Sequence, residues 1–302
     1  MRVTPRLRAE LVLLGVTLSW GGSFVVVKGA LATIGPFTLV ALRFALAAAA
    51  LALVFRGRAW DLGGAHEAAR HRRAALWIGA LLWASFALQT TGLRFTTPAR
   101  SGFITATYVA MVPPLARIFV GRGLRARVLG AVLAALAGLW LLTDPRGGGA
   151  NLGDALTLLA ALGFAAHMVA LDRWARAMPS AGLTFVQMAF VAAFSLPFAL
   201  AFETAPTALD SRSLAAVAYL GLACSAAGFL GQTWGQRNTS PTRVGLIFSL
   251  ESLFAALLSV GLGAETLTPL QWLGGLLLVG GVVVGELSDE PPAEVAAGPS
   301  SR

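Results

Sequence analysis

Residues 86–104, FALQTTGLRFTTPARSGFI, recur as residues 229–247, FLGQTWGQRNTSPTRVGLI, with ten of nineteen positions identical at a constant offset of 143. Phe86, Gln89, Thr90, Gly92, Arg94, Thr96, Pro98, Arg100, Gly102 and Ile104 return as Phe229, Gln232, Thr233, Gly235, Arg237, Thr239, Pro241, Arg243, Gly245 and Ile247, and Pro36 returns as Pro179. The offset is nearly half of the 302 residues, so the chain reads as a tandem duplication. A duplication restricts the fold to two copies of one architecture. In a membrane it restricts more: copies with an odd number of spans must insert in opposite orientations, and inverted repeats are a recurrent construction of secondary transporters.

The membrane setting follows from composition. Hydrophobic residues make up 57% of the chain and charged residues 12%, against about 25% charged in a soluble domain. Spans need roughly 17 to 25 mostly apolar residues, and ten such segments stand out: 11–31, 36–55, 75–93, 98–120, 127–143, 153–172, 182–202, 213–234, 241–262 and 269–287. The expected fold is an all-α membrane protein of ten transmembrane helices in two inverted five-helix repeats, residues 7–146 and 150–288, followed by a disordered cytoplasmic tail, 289–302, rich in Pro, Ala, Ser and Glu. Its N-terminal segment is expected to be a span and not a signal peptide, because the apolar run is ~20 residues, longer than an h-region of about 7–15. Connections are short and leave no room for a soluble domain. The only cysteine, Cys224, lies inside a span, so no disulfide framework forms within one chain.

The net charge of +9 could suggest nucleic acid, but the basic residues are sorted by membrane side. With the N-terminus in the cytoplasm, seventeen fall on cytoplasmic segments: Arg2, Arg6, Arg8, Arg56, Arg58, Arg70, Arg72, Arg73, Arg117, Arg122, Arg125, Arg127, Arg173, Arg176, Arg237, Arg243 and Arg302. Four, Arg94, Arg100, Arg146 and Arg212, fall opposite. The positive-inside rule then places both termini in the cytoplasm. Basicity here is topology, and no nucleic-acid partner is expected.

Trp20-Gly21-Gly22-Ser23-Phe24 with Lys28, Leu42-Arg43-Phe44, and the stretch from Gln236 to Gly285, with Glu251 inside a span and Ala264-Glu265 before Leu-Thr-Pro-x-Gln, resemble the EamA family of the drug/metabolite transporter superfamily. The resemblance runs from residue 11 to about 287, and is closest to bacterial inner-membrane exporters of amino acids, including the aromatic amino acid group. It implies a central cavity lined by spans one, three, four, six, eight and nine. Where members commonly carry a proline after the glutamate, this chain has Ser252, which implies a straighter ninth span.

Charged groups in a span are costly, at least about 2.5–3.5 kcal/mol each at mid-bilayer on insertion scales, and such residues are functional candidates. Glu251 sits near the midplane; it either lines a cavity, binding an ammonium group or titrating during transport, or is a structural carboxylate hydrogen-bonded to a neighbouring helix end or paired with Arg43 or Lys28. Lys28 and Arg43 share the outer half of the membrane, and their counterparts at the offset are Leu171 and Val186. They could capture a carboxylate or form a gating pair, or Lys28 could snorkel to the interface. His167, whose counterpart is Phe24, reads as a hydrogen-bonded core residue or a proton relay. Tyr108 occupies the position equivalent to Glu251, which makes the two a plausible floor for a site at the repeat interface.

Thr105, Ser249, Gln89 and Gln232 add neutral donors and acceptors, although Ser and Thr commonly bond back to their own helix. Trp20 is expected to face the cavity with Phe248, and Trp234 is left open between cavity and surface. Gly274, Gly275, Gly280, Gly281 and Gly285 read as close helix packing.

The expected function is secondary transport of a small metabolite, an amino acid in the leading reading, outward across the bacterial inner membrane by alternating access. Drug or purine-type efflux is the alternative; a passive channel and an intramembrane enzyme are remoter ones. No P-loop is present, so ATP is not the direct energy source. No cofactor or metal is expected, since the thiolate pair and second intramembrane histidine of a metal site are missing. The expected partners are the solute and membrane lipid, with the protein acting as a monomer.

Overall fold

A computed structural model describes residues 4–121, 126–143, 151–204, 209–261 and 266–288. The tail 289–302, the Ala264-Glu265 pair, and Arg2, Arg122, Arg125, Arg146 and Arg302 of the charge count lie outside these residues.

Among the described residues all regular structure is helical. The helices are α1 (Pro5–Gly21), α2 (Ser23–Ala30), α3 (Pro36–Phe55), α4 (Ala68–Gly92), α5 (Pro98–Ala106), α6 (Tyr108–Val120), α7 (Ala126–Thr143), α8 (Leu152–Trp174), α9 (Ser180–Phe202), α10 (Ser211–Ala218), α11 (Gly228–Gly235), α12 (Pro241–Ser249), α13 (Glu251–Gly261) and α14 (Pro269–Ser288). Together they make eight segments long and apolar enough to cross a membrane, plus two shorter apolar helices, Ala126–Leu142 and Pro269–Gly285. The shorter two occupy the segments expected at 127–143 and 269–287.

Helix starts follow local chemistry that the duplication repeats. Thr97 and Ser240 stand 143 residues apart, and each accepts a hydrogen bond from the amide three residues on, Arg100 N and Arg243 N. Pro98 and Pro241 then open α5 and α12, where a missing N–H costs nothing. Nine residues later both rods are interrupted, at Thr107 between α5 and α6 and at Leu250 between α12 and α13. Thr107 N donates to Ile104 O at 3.2 Å and Leu250 N to Ile247 O at 3.1 Å, a tightened three-residue closure. The ninth span, where Ser252 stands in place of a proline, is thus interrupted one residue before Glu251. The break precedes residue 252 and is shared with the first half, so it does not depend on a proline there.

Two further irregularities were not foreseen. Gly22 separates α1 from α2, and a π-helical stretch, Tyr219–Ala227, lies inside the segment read as one regular span, between α10 and α11. α4 also starts at Ala68, seven residues before the apolar segment. Its first turns, AARHRR, are good helix formers but carry the charges that end a hydropathy reading.

Glycines set the closest helix contacts. A Cβ on Gly138 would lie 2.5 Å from Leu278 N, and one on Gly274 would lie 2.4 Å from Leu142 N, so α7 and α14 meet backbone to backbone. A Cβ on Gly21 would sit 3.0 Å from Phe254 Cβ and 3.1 Å from Glu251 O, which fixes the first half of WGGSF against α13. A Cβ on Gly92 would be 2.9 Å from Gly153 O, at the junction of α4 and α8.

Candidate functional site

The broken rods converge on a central cavity. One wall is aromatic: Trp20, Phe24, Phe86, Phe164, Phe229 and Phe248. Trp20 packs on Phe248 at 4.8 Å and on Phe229 at 5.2 Å between ring centroids, and Phe86 bridges Phe164 and Phe229 at 5.2 and 5.8 Å. The indole orientation is fixed from outside: Trp20 Nε1 donates to Cys224 O at 2.8 Å, a carbonyl of the π-helical stretch. Single-turn π segments often occur at functional sites, and here the altered helix supplies a main-chain acceptor to a cavity residue.

The polar lining comes from Gln89, Thr90, Thr105, Tyr108, His167, Gln232, Arg43 and Glu251. Gln89 Nε2 donates to Thr105 Oγ1 at 2.9 Å. His167 Nε2 lies 2.7 Å from Gln187 Oε1, and Gln187 Nε2 donates to Leu183 O at 3.1 Å. Because the amide nitrogen is committed to a carbonyl, its oxygen accepts, so Nε2 carries the proton and Nδ1 is left as an acceptor. Gln232 Nε2 donates to Gln236 Oε1 at 3.0 Å, and Gln236 Nε2 to Met168 O at 2.9 Å.

Three groups in this lining are left with unused capacity among the described residues. Tyr108 Oη and Gln232 Oε1 are buried without a hydrogen-bond partner. The Glu251 carboxylate, in a residue only 8% exposed, forms no hydrogen bond or ion pair. Buried polar atoms are ordinarily satisfied, so these groups retain the capacity to bond to a molecule in the cavity.

The residues expected at the site thus separate into two groups. Trp20, Gln89, Thr105, Tyr108, His167, Gln232, Phe248, Glu251 and Arg43 line the cavity. Trp234, Ser249 and Lys28 do not. Trp234 is 37% exposed on the outside of α11, and the Ser249 hydroxyl donates back to Leu246 O at 2.6 Å. Lys28 Nζ instead reaches the carbonyls of Leu93, Thr96 and Arg94 at 2.7, 2.9 and 3.3 Å.

The pairing of Glu251 with Arg43 or Lys28 does not form among the described residues. Arg43 Nε donates to Ser225 Oγ at 3.0 Å, and its guanidinium lies 4.9 Å from the Phe86 ring centroid and 5.1 Å from that of Phe44. Two aromatic faces and a hydroxyl therefore hold the cation in place of a carboxylate.

Sequence reasoning missed Ser23, Phe24, Val27, Phe86, Thr90, Leu93, Phe164, Met168 and Phe229, all of which line the cavity. A signal for Phe86 and Phe229 was present, since they are identical partners in the duplication. Phe24 and Phe164 are not repeated in the duplication, since their counterparts are His167 and Gly21, and a single apolar ring in an apolar span gives no indication of which way it faces.

The sequence model of the EamA-like transporter family matches residues 7–144 and again 151–285. Among curated proteins, an uncharacterized transporter of Archaeoglobus fulgidus is 31% identical over 282 residues, covering 93% of this chain and 87% of that one. A second uncharacterized transporter of the same organism is 26% identical over 285 residues, covering 91% and 96%. A solved crystal structure superimposes with a TM-score of 0.78 at 21% identity, covering 93% of this chain and 97% of the other, which is a likeness of fold.

Proposed function

The chain belongs to the EamA-like transporter family, and on that premise we propose that this multi-pass membrane protein exports amino acids across a bacterial inner membrane by alternating access. The two shorter helices complete ten crossings in this reading. The two copies of the repeat are inverted about the cavity, and both termini lie in the cytoplasm.

The observation that carries the substrate assignment is the set of unused groups. Glu251 offers a carboxylate, Gln232 Oε1 a carbonyl and Tyr108 Oη a hydroxyl, all facing one cavity. An ammonium group supplies three donors and a positive charge to such acceptors. Arg43, held over Phe86 on the same lining, supports the opposite end of a zwitterion. The aromatic wall of Trp20, Phe86, Phe229 and Phe248 then receives the side chain and favours apolar or aromatic ones.

That same wall is what favours the second reading, efflux of planar drugs or purine-type solutes, since ring faces stack on flat ligands without demanding a charge. Counterflow into liposomes separates the two. Preloaded phenylalanine, leucine or methionine should drive uptake of the labelled amino acid, while nucleosides and planar cations compete weakly. Competition by nucleosides or planar cations alone would replace the amino-acid assignment with the second reading.

A further inference from the structure

We propose that the two copies of the duplicated turn, residues 93–97 and 236–240, are the gates at the two ends of the cavity, each latched to a helix from the start of its own half, α2 for the first and α8 for the second. The inference rests on the transporter reading and adds to it the parts that move.

The two turns sit at opposite ends of one helix. Thr96 Oγ1 donates to Asp154 Oδ1 at 3.0 Å, beside the start of α8 at Leu152. Arg176 Nε, two residues past the end of α8 at Trp174, donates to Arg237 O at 3.0 Å. From residue 154 to 176 the helical rise gives about 33 Å, close to the thickness of a hydrocarbon core. The copied turns therefore close opposite ends of one membrane-sized unit.

Each turn is latched through the same position of the repeat. Leu93 and Gln236 stand 143 residues apart and directly follow α4 and α11. At Leu93 the latch is Lys28 from α2, whose ammonium reaches three carbonyls of the turn between 2.7 and 3.3 Å. At Gln236 the latch is its own amide, given to Met168 O of α8 at 2.9 Å, reinforced by Arg176. In both cases the latched residues adjoin the cavity: Val27 and Leu93 line it at one end, Gln232 and Met168 at the other. The halves use different chemistry for one task, because the counterpart of Lys28 is Leu171 and the second turn carries its own side-chain donor. α2 is eight residues long and is separated from α1 at Gly22.

Releasing one latch then opens one end only, which is the requirement for alternating access. The test reads which face of the membrane reaches the cavity. Cys224→Ala removes the native thiol, and Ser23→Cys places a reporter on the lining. A charged, membrane-impermeant thiol reagent is applied to either side of oriented vesicles, and a terminal epitope identifies the face. Lys28→Met should raise labelling from the face opposite the termini by about tenfold, the shift expected from losing hydrogen bonds to a charged group. Gln236→Leu combined with Arg176→Met should raise labelling from the terminal face instead, and Lys28→Arg should label like the parent.

Labelling that rises from the same face in both variants, or from neither in protein that elutes as a folded monodisperse species, overturns the proposal. Should Lys28→Met fail to fold, the Gln236→Leu/Arg176→Met protein alone decides by which face it exposes. The readout needs no substrate. Variants that switch face while no solute moves would overturn the transport reading and leave the gates standing.

Discussion

Tyr108 and Glu251 are the same residue of the repeat: each is the first residue of the helix that resumes after the break, and both face the central cavity. One backbone device, copied at an offset of 143, thus delivers a hydroxyl in the first half and a carboxylate in the second. The first turn of a helix presents unpaired amides and the positive end of its dipole. That favours an anion at the start of α13, where the second half places one. A single difference on a repeated scaffold therefore gives the cavity its carboxylate.

If the Tyr108 hydroxyl waits for a ligand, removing it should cost binding and not folding. Tyr108→Phe is expected to raise the KM for transport about fivefold, near 1 kcal/mol for one hydrogen bond. The melting temperature in detergent should stay level or rise, because a buried group without a partner is lost. A drop in melting temperature with KM unchanged would make the hydroxyl structural.

His167 and Gln187 replace an aromatic pair: their counterparts in the first half are Phe24 and Phe44. Gln187→Leu strands the buried His167 N–H and should destabilise by about 1–3 kcal/mol, the cost of an unsatisfied group. Adding His167→Phe should recover most of that loss in thermal melts. Failure of the double variant to recover would mean that the pair does more than satisfy itself.

The contact at Gly21 is a packing requirement. Gly21→Val would drive a side chain into Phe254 Cβ and Ala255 N, which a Cβ alone would already meet at 3.0 and 3.1 Å. Overpacking of this kind costs about 1–3 kcal/mol. Gly29→Ala, with nothing within 4 Å of its Cβ, is the control and should melt like the parent. Equal melting of the two would remove the close α1–α13 contact from the account.

Helix content, the approximate place of the eight membrane-length helices and the sequence repeat were legible because each rests on a local signal: apolar length, a proline at a first turn, an identical stretch. The breaks at Gly22, Thr107 and Leu250 were not, since each leaves the hydropathy unchanged and differs only in which carbonyl an amide meets. The π-helical stretch escaped for the same reason. At the site, rare polar residues such as Glu251, His167 and Arg43 announced themselves by their cost in a membrane. Their partners did not. Arg43 was expected to meet a carboxylate and instead lies over Phe44 and Phe86, because an aromatic face is as able to hold a guanidinium as an acid is and carries no charge to mark it. The sequence leaves Trp234 open, since only the rotation of α11 turns it outward.

The central claim is that Glu251 holds the cationic end of an exported amino acid and sits where a transported proton would compete for it. Uptake of labelled phenylalanine into liposomes, with and without an imposed pH gradient, tests it for the parent and Glu251→Gln. The account predicts saturable uptake that responds to the gradient in the parent. In Glu251→Gln it predicts loss of the gradient response, together with a KM raised by at least about tenfold, the worth of one charge-assisted hydrogen bond. Equal KM and equal response to the gradient in both proteins would contradict it.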